Sequence, residues 1–181
     1  MKRFAILLFF LLASIHLHAQ DTCAYISKDS KEGMIEFYED CATYKEGTLT
    51  IKPKYFKDLK FDAYGIANIY VDGEQFYIKK DGSYLHVIVY DNWADDFVEG
   101  LVRVRIDGKI AYFDRDFKQV IPADYEWGWQ FEEGRALVCK GCTFKREGEH
   151  TAVVGGLWGY IDKEGTEVVP IKYTREEIFN R

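Results

Sequence analysis

Four stretches of this chain carry the same landmarks at the same spacing, and such a chain must fold as repeated units. In "GGLWGYIDKEGTEVVPIKY", residues 155–173, Gly165 stands eight residues before Tyr173. Gly82 to Tyr90 and Gly47 to Tyr55 keep that spacing, and Phe117 stands eight before Tyr125. Tyr77, Tyr112 and Tyr160 each lie 13 residues before Tyr90, Tyr125 and Tyr173. The steps Tyr55 to Tyr90 and Tyr90 to Tyr125 are both 35 residues. A second landmark runs in the same frame: "FDAYGIANIYVDG" (61–73), "FVEGLVRVRIDG" (97–108) and "FEEGRALVCKG" (131–141), with Gly65, Gly100 and Gly134 spaced by 35 and 34. "KEGMIEF" (31–37) reads as a degenerate first copy, and Trp93 and Trp127 each precede Phe97 and Phe131 by four. The last copy is longer, because Tyr125 to Tyr173 is 48 residues, or 35 plus 13. The surplus is "CTFKREGEHTAVV", residues 142–154.

Each copy reads as about three short strands. Val102, Val104 and Ile106 alternate with Arg103 and Arg105, the period-two pattern of a strand with one buried face. Asp107-Gly108 and Asp72-Gly73 supply two-residue turns that favour positive φ, so the chain returns antiparallel. Turns at Lys80-Asp81-Gly82 and Lys163-Glu164-Gly165 lead to a third strand, and Pro122 and Pro170 near its end predict an edge or a terminus. Helical periodicity is confined to the tail, "REEIFNR" (175–181), read as one capping turn. The insertion extends a hairpin outward. Such a unit cannot bury its apolar face alone and needs neighbours. Recurrent aromatics, within a total of 17%, are expected to pack successive units together.

The N-terminus predicts export. Met1-Lys2-Arg3 is followed by an apolar run of 12 residues, Phe4 to Ile15, and by His16-Leu17-His18-Ala19. That is a signal-peptide pattern, too short for the roughly 20 residues of a spanning helix. Cleavage is expected after Ala19, and no cysteine stands at the junction to carry a lipid. The mature chain of 162 residues would hold 24 − 2 = 22 basic and 30 acidic side chains, a net charge of −8. That is enough chain for one domain with its own core. Its acidity argues against a nucleic-acid partner, which needs clustered Lys and Arg. No second stretch could insert stably in a membrane once the leader is removed.

In an oxidising compartment Cys23, Cys41, Cys139 and Cys142 are read as disulfides, paired by proximity as Cys23–Cys41 and Cys139–Cys142, although four cysteines allow three pairings. Cys139-Lys140-Gly141-Cys142 also has redox spacing, but that chemistry needs a thiol at a helix N-terminus, and a strand precedes it here. Free thiols and a zinc site with His86 or His150 are the other readings; no metal or cofactor is expected.

No catalytic constellation emerges. Ser27, Ser30 and Ser83 lie outside any nucleophile elbow. Carboxylates at Asp95-Asp96, Glu99, Glu132-Glu133 and Glu176-Glu177 are read as turn-forming or solvated. "YEWGWQF" (125–131) would place Trp127 and Trp129 on one face if extended, able to stack on a sugar or receive a peptide. Trp93, Trp127, Trp129 and Trp158 are the candidate binding residues.

Trp158-Gly159-Tyr160-Ile161-Asp162, Gly165 and Val169-Pro170 to Tyr173 resemble the WG-repeat family. The similarity spans residues 31–173, with Ile110-Ala111 and Gln75-Phe76 at the Trp-Gly positions of earlier copies. It implies β-rich, often exported bacterial proteins, a scaffold or recognition surface, and no catalytic residues.

The expectation is therefore all-β: a signal peptide (1–19), a lead segment (20–30), a repeat domain of about four units (31–173) and a tail (174–181). Its units form an open or partly rolled array, with a propeller-like ring as the alternative; about 35 residues per unit is lean for a four-stranded blade. The expected function is an exported, non-enzymatic scaffold, periplasmic or extracellular, that binds a protein or peptide. The alternative is a glycan-binding module using exposed aromatics.

Overall fold

The computed structural model describes residues 22–180. The expected leader, 1–19, lies outside the described residues. The chain begins with β1 (Thr22–Ile26), β2 (Ile35–Glu39), the hairpin β3 (Ala42–Lys45) and β4 (Thr48–Ile51), and a single helical turn, α1 (Pro53–Phe56). Unit one is β5 (Ile66–Val71), β6 (Glu74–Lys79) and β7 (Tyr84–Val87), followed by the small pair β8 (Val89–Tyr90) and β9 (Trp93–Ala94). Unit two is β10 (Leu101–Ile106), β11 (Lys109–Asp114) and β12 (Gln119–Tyr125). The short β13 (Trp127–Gly128) then joins unit three, β14 (Arg135–Glu147), β15 (His150–Asp162) and β16 (Glu167–Tyr173), and α2 (Arg175–Phe179) closes the chain.

The fold is all-β, an open array of antiparallel three-strand units in which no sheet closes into a barrel. The expected turns form: Asp72-Gly73 and Asp107-Gly108 both hold positive φ at both positions, the geometry that matches strand twist in a two-residue hairpin. The landmark eight residues before each tyrosine is also a left-handed position, with φ of 87° at Gly82, 61° at Phe117 and 83° at Gly165. Phe117 therefore carries backbone strain that glycine avoids in the other two units.

Units two and three superpose in register. Ile110↔Tyr125, Tyr112↔Ile121 and Phe113↔Gln119 in unit two become Trp158↔Tyr173, Tyr160↔Val169 and Ile161↔Glu167 in unit three, each shifted by 48, with register shifts at the same two steps. Pro122 and Pro170 sit on these shifts and on edge strands, as their missing N–H requires. Unit one has Val87 at that position, and its ladder runs without a break from Ile78↔Tyr84 to Gln75↔Val87. Tyr90 therefore leaves the ladder position held by Tyr125 and Tyr173 and pairs with Trp93 instead.

The N-terminal region differs from the expectation in two ways. The lead segment supplies β1, an interior strand of the first sheet, whose order is β2-β1-β5-β6-β7. The "KEGMIEF" stretch becomes the edge strand β2, and the Gly47–Tyr55 pair spans a hairpin turn and α1, where Pro53 starts a helical turn. The three-strand units thus number three among the described residues. Cys23 and Cys41, both fully buried, form a disulfide that ties β1 to the entry of β3. Closing a loop of 18 residues stabilises by about 3 kcal/mol.

Separate cores lie between successive sheets. Leu85, Val87, Val102 and Val104 fill the first junction, and Ile110, Ile121, Val138 and Ile161 the second. Two matching hydrogen bonds cross these junctions: the Tyr77 hydroxyl donates to Asp95 O (2.9 Å) and the Tyr112 hydroxyl to Trp129 O (2.7 Å). At the far end α2 is capped by Thr174 and Glu177 in a reciprocal box and lays Ile178 on the last core.

Gly159 is fixed by the bulge. A Cβ there would lie 2.5 Å from Val169 O and 2.8 Å from the Ile171 backbone. Bulged unit two carries only Ala111 at this position, whereas unbulged unit one carries Phe76. Gly159→Val should lower stability by about 3 kcal/mol in urea denaturation; an unchanged midpoint would contradict this packing.

Candidate functional site

The second junction holds an ion pair that the sequence pattern hides. Arg103 alternates with Val102 and Val104 and was expected to face solvent, yet it is 3% exposed. The reason is that the middle sheet lies between the other two, so β10 buries both sides, with Val102 and Val104 in one core and Leu101 in the other. Its partner is Asp95, expected to be a turn-forming or solvated carboxylate but fully buried. Arg103 Nη2 reaches Asp95 Oδ1 at 2.6 Å, Nε reaches Oδ2 at 3.1 Å, and the Arg103 backbone N–H donates to Oδ2 at 2.9 Å. Gln130 Nε2 donates to Asp95 Oδ1 at 2.8 Å, and Arg103 Nη1 donates to Gly128 O at 3.0 Å. Every charge here is hydrogen-bonded, which is the condition for a tolerable buried pair.

Above this pair lies an aromatic face. Trp127 and Trp129 are on one side of the chain, as their spacing predicts, and stack at 5.5 Å with planes 20° apart. Tyr90 meets Trp129 edge-on at 5.6 Å. The Arg103 guanidinium lies 5.1 Å from the Tyr90 ring and 5.4 Å from that of Trp129. Trp129 is 39% exposed and Trp127 half-buried. Trp158 does not join them at the surface. It is 1% exposed, tilted against Trp127 at 5.3 Å, and satisfied by donation from Nε1 to Gly155 O at 2.9 Å. It packs in the terminal core, so the reading of Trp158 as a binding residue is corrected. Trp93 is separate from the face; it lines a cleft at the first junction with Asn68, Asp96 and Arg115.

A family model described as WG containing repeat matches residues 87–109, 111–141 and 158–179. The chain belongs to the WG-repeat family. No curated protein and no solved structure matches it. The first two matches run from a later strand of one unit into the first strand of the next and so straddle a junction, whereas the third runs from β15 through β16 into α2. The Trp-Gly pair of the third WG unit combines a core indole with the glycine that the bulge demands.

The WG matches stop at Gly141 and resume at Trp158, which leaves out the insertion. The expected outward hairpin is present: β14 and β15 pair in one continuous register from Arg135↔Asp162 to Glu147↔His150. Beyond Cys142 this arm is largely exposed, and Phe144 lies over the Arg105 guanidinium at 5.7 Å. Among the described residues neither edge of the arm has a further strand partner, because β13 pairs only with Val138 and Cys139, and β16 with Trp158, Tyr160 and Ile161.

The expected Cys139–Cys142 disulfide is absent; both are buried free thiols among Leu137, Trp158 and Ile178. The ladder itself, Cys139↔Trp158 and Cys142↔Gly155, holds the base of the arm. Burial pushes the Cys139 thiol well above its ordinary range, with the hydrogen bond to Cys142 adding to it, and burial raises Cys142 too. Thiolate, the species that attacks a disulfide, is disfavoured at both. Among the described residues no group of three or more His, Cys, Asp or Glu is placed to hold a metal.

Glu99, a turn residue at φ 51°, links units two and three. Its carboxylate pairs with Lys163 at 2.8 Å and accepts the Gly134 N–H at 3.1 Å, and the Lys163 contact followed by the Gly134 N–H lowers its pKa.

Removing one partner of the buried pair strands the other. Asp95→Ala should cost about 3–5 kcal/mol in urea unfolding, and adding Arg103→Met should recover most of it. Equal losses in the single and double variants would contradict this account.

Proposed function

We propose that this WG-repeat protein is an exported, non-enzymatic scaffold that captures an extended segment of a protein partner along its hairpin arm, in the cell envelope or outside. The observation that carries the reading is the arm: it falls outside the family matches, is exposed, and has two open strand edges. An open edge presents unpaired N–H and C=O groups that an extended peptide can complete, with alternate side chains giving specificity. Lys145, Arg146, Glu147 and Glu149 near its tip discourage self-pairing, which favours a charged hetero-partner over a second copy. The signal-like N-terminus and the Cys23–Cys41 disulfide agree with export. No described helix is long and apolar enough to cross a membrane.

The glycan alternative at Trp127 and Trp129 loses support from their geometry. A sugar stacks on an open ring face, but Trp129 is flanked by Trp127 and by the Arg103 guanidinium.

Deleting residues 142–154 leaves Gly141, Gly155 and Gly156 to close the shortened hairpin. The variant should keep its cooperative thermal transition while losing partners crosslinked from envelope extracts by the intact chain. The same set of crosslinked partners in both would contradict the proposal.

A further inference from the structure

One of the positions at which the junctions differ lies on the first strand of each unit. Three residues after the recurring glycine stand Asn68 in unit one, Arg103 in unit two and Leu137 in unit three. At the second junction the Arg103 guanidinium reaches Gly128 and, through Asp95, Gln130. Asn68 is shorter, and a cleft of about 390 Å³ opens beside it. That volume lies within the range of small-ligand sites.

The walls of this cleft carry unmet polar capacity. Arg115 sits with its guanidinium 4.0 Å from the Tyr64 ring and 4.7 Å from the Phe97 ring, and among the described residues it makes no hydrogen bond or ion pair. Contact with the two rings leaves its N–H groups to a ligand. Asp96 is exposed and likewise unpaired among the described residues. Asp62 uses Oδ1 for the Tyr64 and Ile66 N–H groups, each at 2.8 Å, which leaves Oδ2. Asn68 donates from Nδ2 to Phe76 O at 3.1 Å, while its buried Oδ1 has no partner. Trp93, unlike the other three tryptophans, makes no ring-stacking or cation–π contact among the described residues.

We propose that this cleft binds a neutral sugar residue, with the ring's C–H face against Trp93 and its hydroxyls shared between Asp96 and Arg115. Three features select that class. Two cations, Lys60 and Arg115, face two anions, Asp62 and Asp96, so the lining has no net charge to recruit a polyanion. Carboxylate acceptors and guanidinium donors in one cleft match neighbouring hydroxyls, each of which both donates and accepts. An aromatic wall beside those polar groups suits a ring with one apolar face. The site is independent of the arm.

The test is saturation-transfer NMR on residues 20–181 with neutral hexoses, pentoses and N-acetylhexosamines, as mono- and disaccharides, beside free α-amino acids and sulfated sugars. The expected result is transfer to at least one neutral sugar, with affinity reduced about tenfold or more in Asp96→Asn. That variant should keep its thermal midpoint, since Asp96 is exposed and unpaired. Trp93→Ala should abolish the transfer, and deleting 142–154 should leave it intact, which separates this site from the arm. No transfer to any neutral sugar, equal affinity in Asp96→Asn, or a response confined to amino acids or sulfated sugars would overturn the proposal.

Discussion

A buried phenol that donates across to the next unit is the interaction on which the array depends. Tyr77 and Tyr112 each stand in a second strand, and each reaches a backbone carbonyl in the segment that leads to the following unit's first strand. Tyr112 is 1% exposed, so its hydroxyl has no water to turn to and must find that carbonyl. Burial raises the pKa of both phenols, which keeps them protonated and able to donate. Each such bond contributes only about 1 kcal/mol net, but leaving a buried group unmade costs about 1–3 kcal/mol. Apolar burial drives the units together, and the phenols fix the angle and register at which they meet. Tyr160, the third member, meets no further unit among the described residues; Arg135 lies over its ring at 4.9 Å.

Against this shared frame, the positions that vary decide what each junction can do. A proline at 122 or 170 breaks the third-strand ladder, and the bulge then limits residue 111 or 159 to a small side chain. Val87 keeps the ladder whole and frees Tyr90 for the aromatic face. One position yields an apolar core at Leu137, a satisfied ion pair at Arg103 and an open cleft beside Asn68. Shape comes from what the units share, and chemistry from where they depart.

Much of the architecture was legible because it rests on local rules. Asp-Gly turns, edge prolines, the capping turn at Thr174 and the hairpin through residues 142–154 each follow from a residue's own backbone preferences. The Trp127–Trp129 stack followed from period-two geometry. What was hidden depends on neighbours distant in sequence. Alternation in "LVRVRI" assumes one wet face, so it could not reveal that Arg103 is buried; the apolar flanks on both faces of β10 were the available signal. The pairing of β1 with β5 joins segments some 45 residues apart by register, with no local signature. Trp158 and Trp129 look alike in sequence, and only the packing of α2 and the bulged β16 separates a core indole from a surface one. Cys139 and Cys142 have disulfide spacing, yet they stand as free thiols in the terminal core.

If the phenols couple the units, removing both should uncouple them. The direct measurement is urea unfolding of Tyr77→Phe/Tyr112→Phe, followed in parallel by tryptophan fluorescence and far-ultraviolet circular dichroism. Three of the four tryptophans cluster around the second junction and unit three, whereas dichroism reports every sheet. The account predicts coincident transitions in the parent chain and, in the double variant, a lower midpoint with the two probes separating. Coincident transitions at an unchanged midpoint would contradict it.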